Sequence, residues 1–267
     1  MFKTRLISGI ILVIIALAVI ITGGDLLLGV TAAISIIGMF ELCRVFKTEK
    51  SIAGFLSYAA AVIYFLNLRL HFTADTMMLV IGFLILLLAV YVFTYPKFKA
   101  DQIMAAFFGF FYVAVMLSFI YQTRMLDAGQ YLVWLIFLCS WGSDTCAYCV
   151  GVLFGKHKMS PILSPKKSIE GAVGGVVGAA LLTALYSYIF KEQMGIQLAE
   201  VWLLAGVSAV GALISMVGDL AASAIKRNYE IKDYGKLIPG HGGILDRFDS
   251  VIITAPIIFF LASSVMR

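Results

Sequence analysis

Apolar residues in this chain neither alternate with polar ones nor recur against a charged helical face; they come in long unbroken runs. Nine can be marked, at about residues 6–22, 26–43, 52–67, 76–95, 102–120, 130–149, 170–190, 199–221 and 250–266. Most of them reach the roughly 17–25 residues a helix needs to cross a bilayer. The third is short enough to be re-entrant. Lipid offers the backbone no hydrogen bonds, so only helices and closed barrels can span it. A barrel strand would alternate apolar and polar positions, and these runs do not. The predicted fold class is all-α: a polytopic integral membrane protein of about nine transmembrane helices. It reads as one membrane domain over residues 1–267, with helices one to five in 1–128 and helices six to nine with two polar loops in 129–267. The first run, in MFKTRLISGIILVIIALAVIITGG, is too long for a signal-peptide core and is followed by no Ala-x-Ala site, so it reads as a first span.

Composition supports that class. Of 267 residues, 62% are hydrophobic and 13% charged, where a soluble domain carries about 25% charged. Charge also orients the ladder. With the N-terminus cytoplasmic and the C-terminus outside, sixteen of the twenty Lys and Arg fall on the cytoplasmic side, beginning with Lys3 and Arg5. Arg69, Arg124, Lys191 and Arg267 stay outside. This is the segregation the positive-inside rule requires, and adding or removing one middle helix would scramble it. Cys146 and Cys149 form a lone C-x-x-C with no partner motif, which reads as small buried filler, like Cys43 and Cys139.

The same ladder gathers the acids. Glu41, Asp144, Glu170 and Asp219 come at cytoplasmic helix ends, and Asp246 and Asp249 directly precede helix nine. A charge at mid-helix costs about 2.5–3.5 kcal/mol on insertion scales, so such residues are usually functional. Several at one depth imply one shared site, where like charges need cations between them.

Two polar loops face that level. GVLFGKHKMSPILSPKKSIEGAVGG carries Lys156, Lys158, Lys166 and Lys167 with two prolines. It reads either as a polybasic loop touching anionic headgroups or, through Ser168 and Glu170, as a helix start that binds phosphate. Gly171, Gly174, Gly175 and Gly178 then mark close helix packing. The glycine spacing excludes a Walker-type phosphate loop. In SAIKRNYEIKDYGKLIPGHGGILDRFDS, Lys226, Arg227, Lys232 and Lys236 are candidates for phosphate. Asp219, Asp246 and Asp249 are oxygen donors of the kind Mg²⁺ prefers. Gly240, Gly242 and Gly243 allow positive φ or close backbone approach. His241 either contacts a phosphate or is an ordinary loop histidine. Phosphate and metal chemistry at one membrane face follows from these residues; the reaction does not. An ion-coupled transporter would show paired halves and midplane polar groups, and neither is visible.

Ser223, Lys226, Arg227, Lys232, Asp233, Gly235, Ile238, Pro239, His241, Gly242, Gly243, Asp246, Arg247 and Asp249 resemble, without a departure, the signature of the phosphatidate cytidylyltransferase (CDP-diacylglycerol synthase) family. Asp144 in SDTCAYCVG and the string LSPKKSIEG resemble other segments of that family. The resemblance implies that CTP and phosphatidate give CDP-diacylglycerol and pyrophosphate, with Mg²⁺ and room for a second cation. It implies metal ligands among Asp144, Asp219, Asp246 and Asp249. Asp219, Asp246, Lys226, Arg227 and Lys232 are the expected catalytic residues. Lys166, Lys167, Ser168, Ser223, Asp233, His241, Gly242, Gly243 and Arg247 are expected at the substrates. The implied partners are CTP, phosphatidate and membrane lipid, with no nucleic acid, and small-residue helix faces are compatible with a homodimer. The implied location is the cell (inner) membrane, with the site at the cytoplasmic face. A CTP-dependent polyprenol kinase is the nearest rival; the Asp-Gly motif of CDP-alcohol phosphotransferases is absent.

Overall fold

Every apolar run becomes a helix in the computed structural model, which describes residues 2–240 and 242–265, with side chains from Gly9 onward. His241, Arg267 and the side chains of Lys3 and Arg5 therefore lie outside the described residues. The helices are α1 (Phe2–Thr22), α2 (Gly24–Val45), α3 (Ile52–Leu70), α4 (Thr76–Phe93) and α5 (Ala100–Arg124). They continue with α6 (Gly129–Phe154), α7 (Ile169–Ile189), α8 (Leu198–Asn228) and α9 (Leu245–Val265). Among the described residues, eight are long and apolar enough to cross a membrane, and α1 contributes a shorter apolar stretch, Gly9–Thr22. The protein is an all-α polytopic membrane protein. The third helix has 19 residues, a length of about 28 Å, so it is a full span in length and not the short segment its hydropathy suggests.

Two helix ends depart from expectation. α8 continues for 31 residues to Asn228, and α9 begins at Leu245. Ser223, Lys226 and Arg227 on one, and Asp246, Arg247 and Asp249 on the other, are thus helical instead of lying in a loop. Hydropathy marks where lipid stops, whereas the i to i−4 hydrogen bonds of the backbone continue through the interface. Between α6 and α7 the chain forms a two-stranded antiparallel hairpin, β1 (Lys158–Ser160) and β2 (Ser164–Ser168), which the sequence did not signal.

The chain divides into two compact units. The first comprises Met1–Ser118 and Asp233–Asp246. Its core centres on Phe110, fully buried, with ring centroids 5.9 Å from Tyr64 and 4.8 Å from Phe83. The apolar surfaces of α4, including Ile81, Ile85, Leu88 and Val92, are exposed, which is how a helix reads when lipid is its solvent.

The second unit comprises Phe119–Lys232 and Arg247–Arg267. Here α7 lies against α6 through its glycines. A Cβ at Gly174 would come within 2.5 Å of Val150, and one at Gly178 within 2.5 Å of Cys146. Without a hydrophobic force between helices in lipid, this close backbone approach is what holds them. Ser208 adds a polar knot, accepting from Thr183 at 2.8 Å and donating to the Ala179 carbonyl at 3.2 Å.

Candidate active site

Four segments of the second unit bring ionisable side chains together: α6 with Asp144, β2 with Lys167, α8 with Asp219 and Lys226, and α9 with Arg247 and Asp249. Glycine sets the closest approach. A Cβ at Gly218 would lie 2.8 Å from Ile253 and 3.2 Å from the Asp249 carbonyl, so only glycine lets α8 sit this tightly on α9. The next residue is Asp219, whose carboxylate pairs with the Lys167 ammonium. Both side chains are about three-quarters buried, at 26% and 24% exposure. Asp144 feels the charges of Asp219, Lys167 and Arg247 and hydrogen-bonds the Ser250 side chain. Asp249, buried, feels Asp219, Asp144 and Lys226, and accepts the Ser250 N–H at 2.8 Å. In α6, a π-helical segment, Leu138–Gly142, ends two residues before Asp144; such bulges recur at functional sites because they re-aim the side chains that follow.

Three carboxylates facing one another repel unless positive charge stands between them. Lys167, Lys226 and Arg247 supply three such charges. Among the described residues no group of three or more His, Cys, Asp or Glu side chains is placed to hold a metal ion by itself. The donor set nevertheless suits Mg²⁺, which takes hard oxygen ligands, uses only one or two carboxylates and leaves the rest of its octahedron to water and substrate phosphate.

The loop in the first unit is built differently. Asp246 Oδ2 accepts the N–H of Tyr234 at 2.8 Å and of Gly243 at 2.9 Å. Glu41, from α2 and only 4% exposed, accepts the N–H of Ile244 on Oε1 at 3.2 Å and of Leu245 on Oε2 at 2.9 Å. Arg44 donates to the Tyr234 carbonyl. The loop closes on itself where Ile238 N–H meets the Gly242 carbonyl at 2.8 Å. Gly240 and Gly242 adopt φ of 79° and 89°, which glycine reaches without strain.

The acids expected at one site thus serve three sets of partners. Asp144, Asp219 and Asp249 form the charged cluster of the second unit. Asp246 and Glu41 hold the loop of the first. Glu170 serves the hairpin, its carboxylate 2.6 Å from His157 Nδ1 and accepting the Lys156 N–H at 3.1 Å. Of the remaining expected residues, Lys166 is exposed on β2 and Ser223 is half-buried on α8. Arg227 is exposed and donates to the Ile231 carbonyl at 3.4 Å, and Lys232 and Asp233 are exposed beyond it. Ser168 caps α7, its hydroxyl accepting the Gly171 N–H at 3.1 Å. Sequence reasoning missed Ser250, Arg44 and the partners of Glu41. No side-chain motif marks a carboxylate whose partners are backbone N–H groups some 200 residues away.

A model of the cytidylyltransferase family matches residues 3–265 of the chain. The phosphatidate cytidylyltransferase of Staphylococcus aureus is 31% identical over 262 residues, covering 97% of this chain and 98% of that protein. Those of Staphylococcus saprophyticus and Staphylococcus epidermidis are 32% identical over the same shares.

Proposed function

The chain belongs to the cytidylyltransferase family, and we infer that it transfers the cytidylyl group of CTP to phosphatidate, giving CDP-diacylglycerol and pyrophosphate. The observation that carries this reading is the meeting of Asp144, Asp219 and Asp249 with Lys167, Lys226 and Arg247 in membrane-spanning helices and the adjoining hairpin. Uncompensated, such a set is expensive in a bilayer. It becomes favourable where two polyanions must be held together.

In the reaction a phosphatidate oxygen attacks the α-phosphorus of CTP. A new P–O bond forms while the bond from the α-phosphorus to the α,β-bridging oxygen breaks, and that electron pair leaves with pyrophosphate. The attacking phosphate is already ionised at neutral pH, so the step needs no general base, and His241 is not assigned that role. What remains is positioning and charge neutralisation. Lys226, Arg227 and Lys232 hold the triphosphate and stabilise the departing pyrophosphate. Lys166, Lys167, Ser168 and Arg247 engage the remaining phosphate and headgroup, with Asp219 fixing the Lys167 ammonium. Asp144, Asp219 and Asp249 would hold one or two Mg²⁺ ions, and Asp246 is a further candidate ligand on the resemblance of the signature alone. Bound there, Mg²⁺ neutralises phosphate charge.

Purified protein with CTP, Mg²⁺ and phosphatidate-containing micelles is expected to release pyrophosphate in proportion to CDP-diacylglycerol formed. Release without phosphatidate, or undiminished release in EDTA, would overturn the reading. The proposed orientation puts the charged cluster at the cytoplasmic face of the cell membrane. In a variant lacking the four native cysteines, an impermeant thiol reagent added to intact cells is expected to label Gln193→Cys and spare Lys236→Cys; both positions are exposed, and the reverse pattern would invert the topology.

A further inference from the structure

We propose that Glu41 is a positioning residue for the reaction, a buried clamp from α2 that fixes the segment Asp233–Asp246 in its working shape. The proposal rests on the function inferred above and on the resemblance of the signature, which implies that Gly242, Gly243 and Asp246 of that segment serve the substrates and cation. Three observations converge on it. First, the two oxygens of Glu41 take separate backbone donors, Ile244 and Leu245, at the N-terminus of α9, where helical N–H groups have no partner within the helix and negative charge is favoured. Second, a Cβ at Gly235 or at Gly243 would overlap the Glu41 carboxylate. Gly243 has no positive φ, so its place in the signature is explained by room for Glu41 and not by backbone freedom. Third, Gly243 also donates to Asp246. The same glycine therefore couples the clamp to a carboxylate assigned to the reaction. Tyr234, held by Asp246 through its N–H and by Arg44 through its carbonyl, anchors the other end of the segment.

The test uses the full-length, detergent-purified protein and kinetics normalised to the folded fraction. Glu41→Ala is expected to raise the KM for CTP about tenfold, the worth of one hydrogen bond to a charged group, and to speed amide exchange in residues 233–246. A general loss of folded protein would lower the apparent kcat and leave KM unmoved. Gly243→Ala is expected to impair the enzyme through overlap with Glu41. Adding Glu41→Asp, which withdraws the carboxylate by one methylene, is expected to restore much of what Gly243→Ala loses. Unchanged KM and exchange in Glu41→Ala, or a double variant no better than Gly243→Ala, would overturn the clamp. A wild-type protein that fails to make CDP-diacylglycerol would instead overturn the inferred function, and amide exchange would still report on the clamp by itself.

Discussion

Each unit of this protein gathers carboxylates, with Glu41 and Asp246 buried in the first, and Asp249 buried, Asp219 partly buried and Asp144 exposed in the second; the two units hold them with different partners. In the first, Glu41 and Asp246 are satisfied by four backbone N–H groups: Ile244, Leu245, Tyr234 and Gly243. Such donors cannot leave, and they fix a loop. In the second, Asp144, Asp219 and Asp249 repel one another and are balanced by Lys167, Lys226 and Arg247. Side-chain cations on long stems can move or be exchanged for others. Carboxylates tied to backbone therefore build shape, whereas carboxylates tied to cations keep an adjustable charge balance, the property needed to admit a tetra-anionic nucleotide and release pyrophosphate.

Removing one charge from the adjustable set sharpens the contrast most. Asp249→Asn keeps the shape of a buried side chain and relieves repulsion from Asp219 and Asp144. The expected outcome is a loss of cytidylyl transfer of about 10³-fold, the upper range for removing one preorganised electrostatic group, with thermal stability unchanged or raised. Activity is read as labelled CDP-diacylglycerol and stability as the midpoint of thermal unfolding in the same detergent. A variant that unfolds earlier but still turns over would place Asp249 with the structural carboxylates and erase the distinction between the two units.

The contrast also explains what the sequence revealed and what it concealed. Lipid imposes length and continuous apolarity on a span, so the nine long helices of the described residues were legible as uninterrupted runs. Acidic residues in or beside those runs stood out because lipid makes them costly, which suggested one shared site for Glu41, Asp144, Glu170, Asp219, Asp246 and Asp249; only Asp144, Asp219 and Asp249 sense one another's charge beside Lys167 and Lys226. The helix ends were misread because hydropathy follows solvent and not hydrogen bonding; α8 runs on through Lys226 and Arg227. The hairpin at Lys158–Ser168 left no trace, since its strands are short and polar, with Pro161 in the turn and Pro165 within β2. Gly243 was legible as a place of positive φ or of close approach to a ligand; that the close neighbour is the Glu41 carboxylate required the fold. Backbone donors belong to every residue alike, so no pattern of side chains announces where a carboxylate will find them.

A smaller effect, on stability, tests the structural side of the comparison, and it turns on the difference between an amide and a methyl group at position 246. Oδ2 of Asp246 accepts both the Tyr234 and the Gly243 N–H. In Asp246→Asn the amide oxygen can occupy that place and keep both bonds, so the segment should retain its shape with little change in unfolding midpoint. In Asp246→Ala both N–H groups lose their acceptor in a buried setting, at about 1–3 kcal/mol each, and the midpoint should fall by several degrees. If Asp246 also holds a cation, as its place in the signature proposes, Asn abolishes transfer while leaving the fold, because an amide replaces the charge poorly although it replaces the acceptor well. Equal midpoints for Asn and Ala would show that the backbone bonds contribute little to holding the segment. Near-normal turnover in Asn would leave Asp246 with shape alone, on the same footing as Glu41.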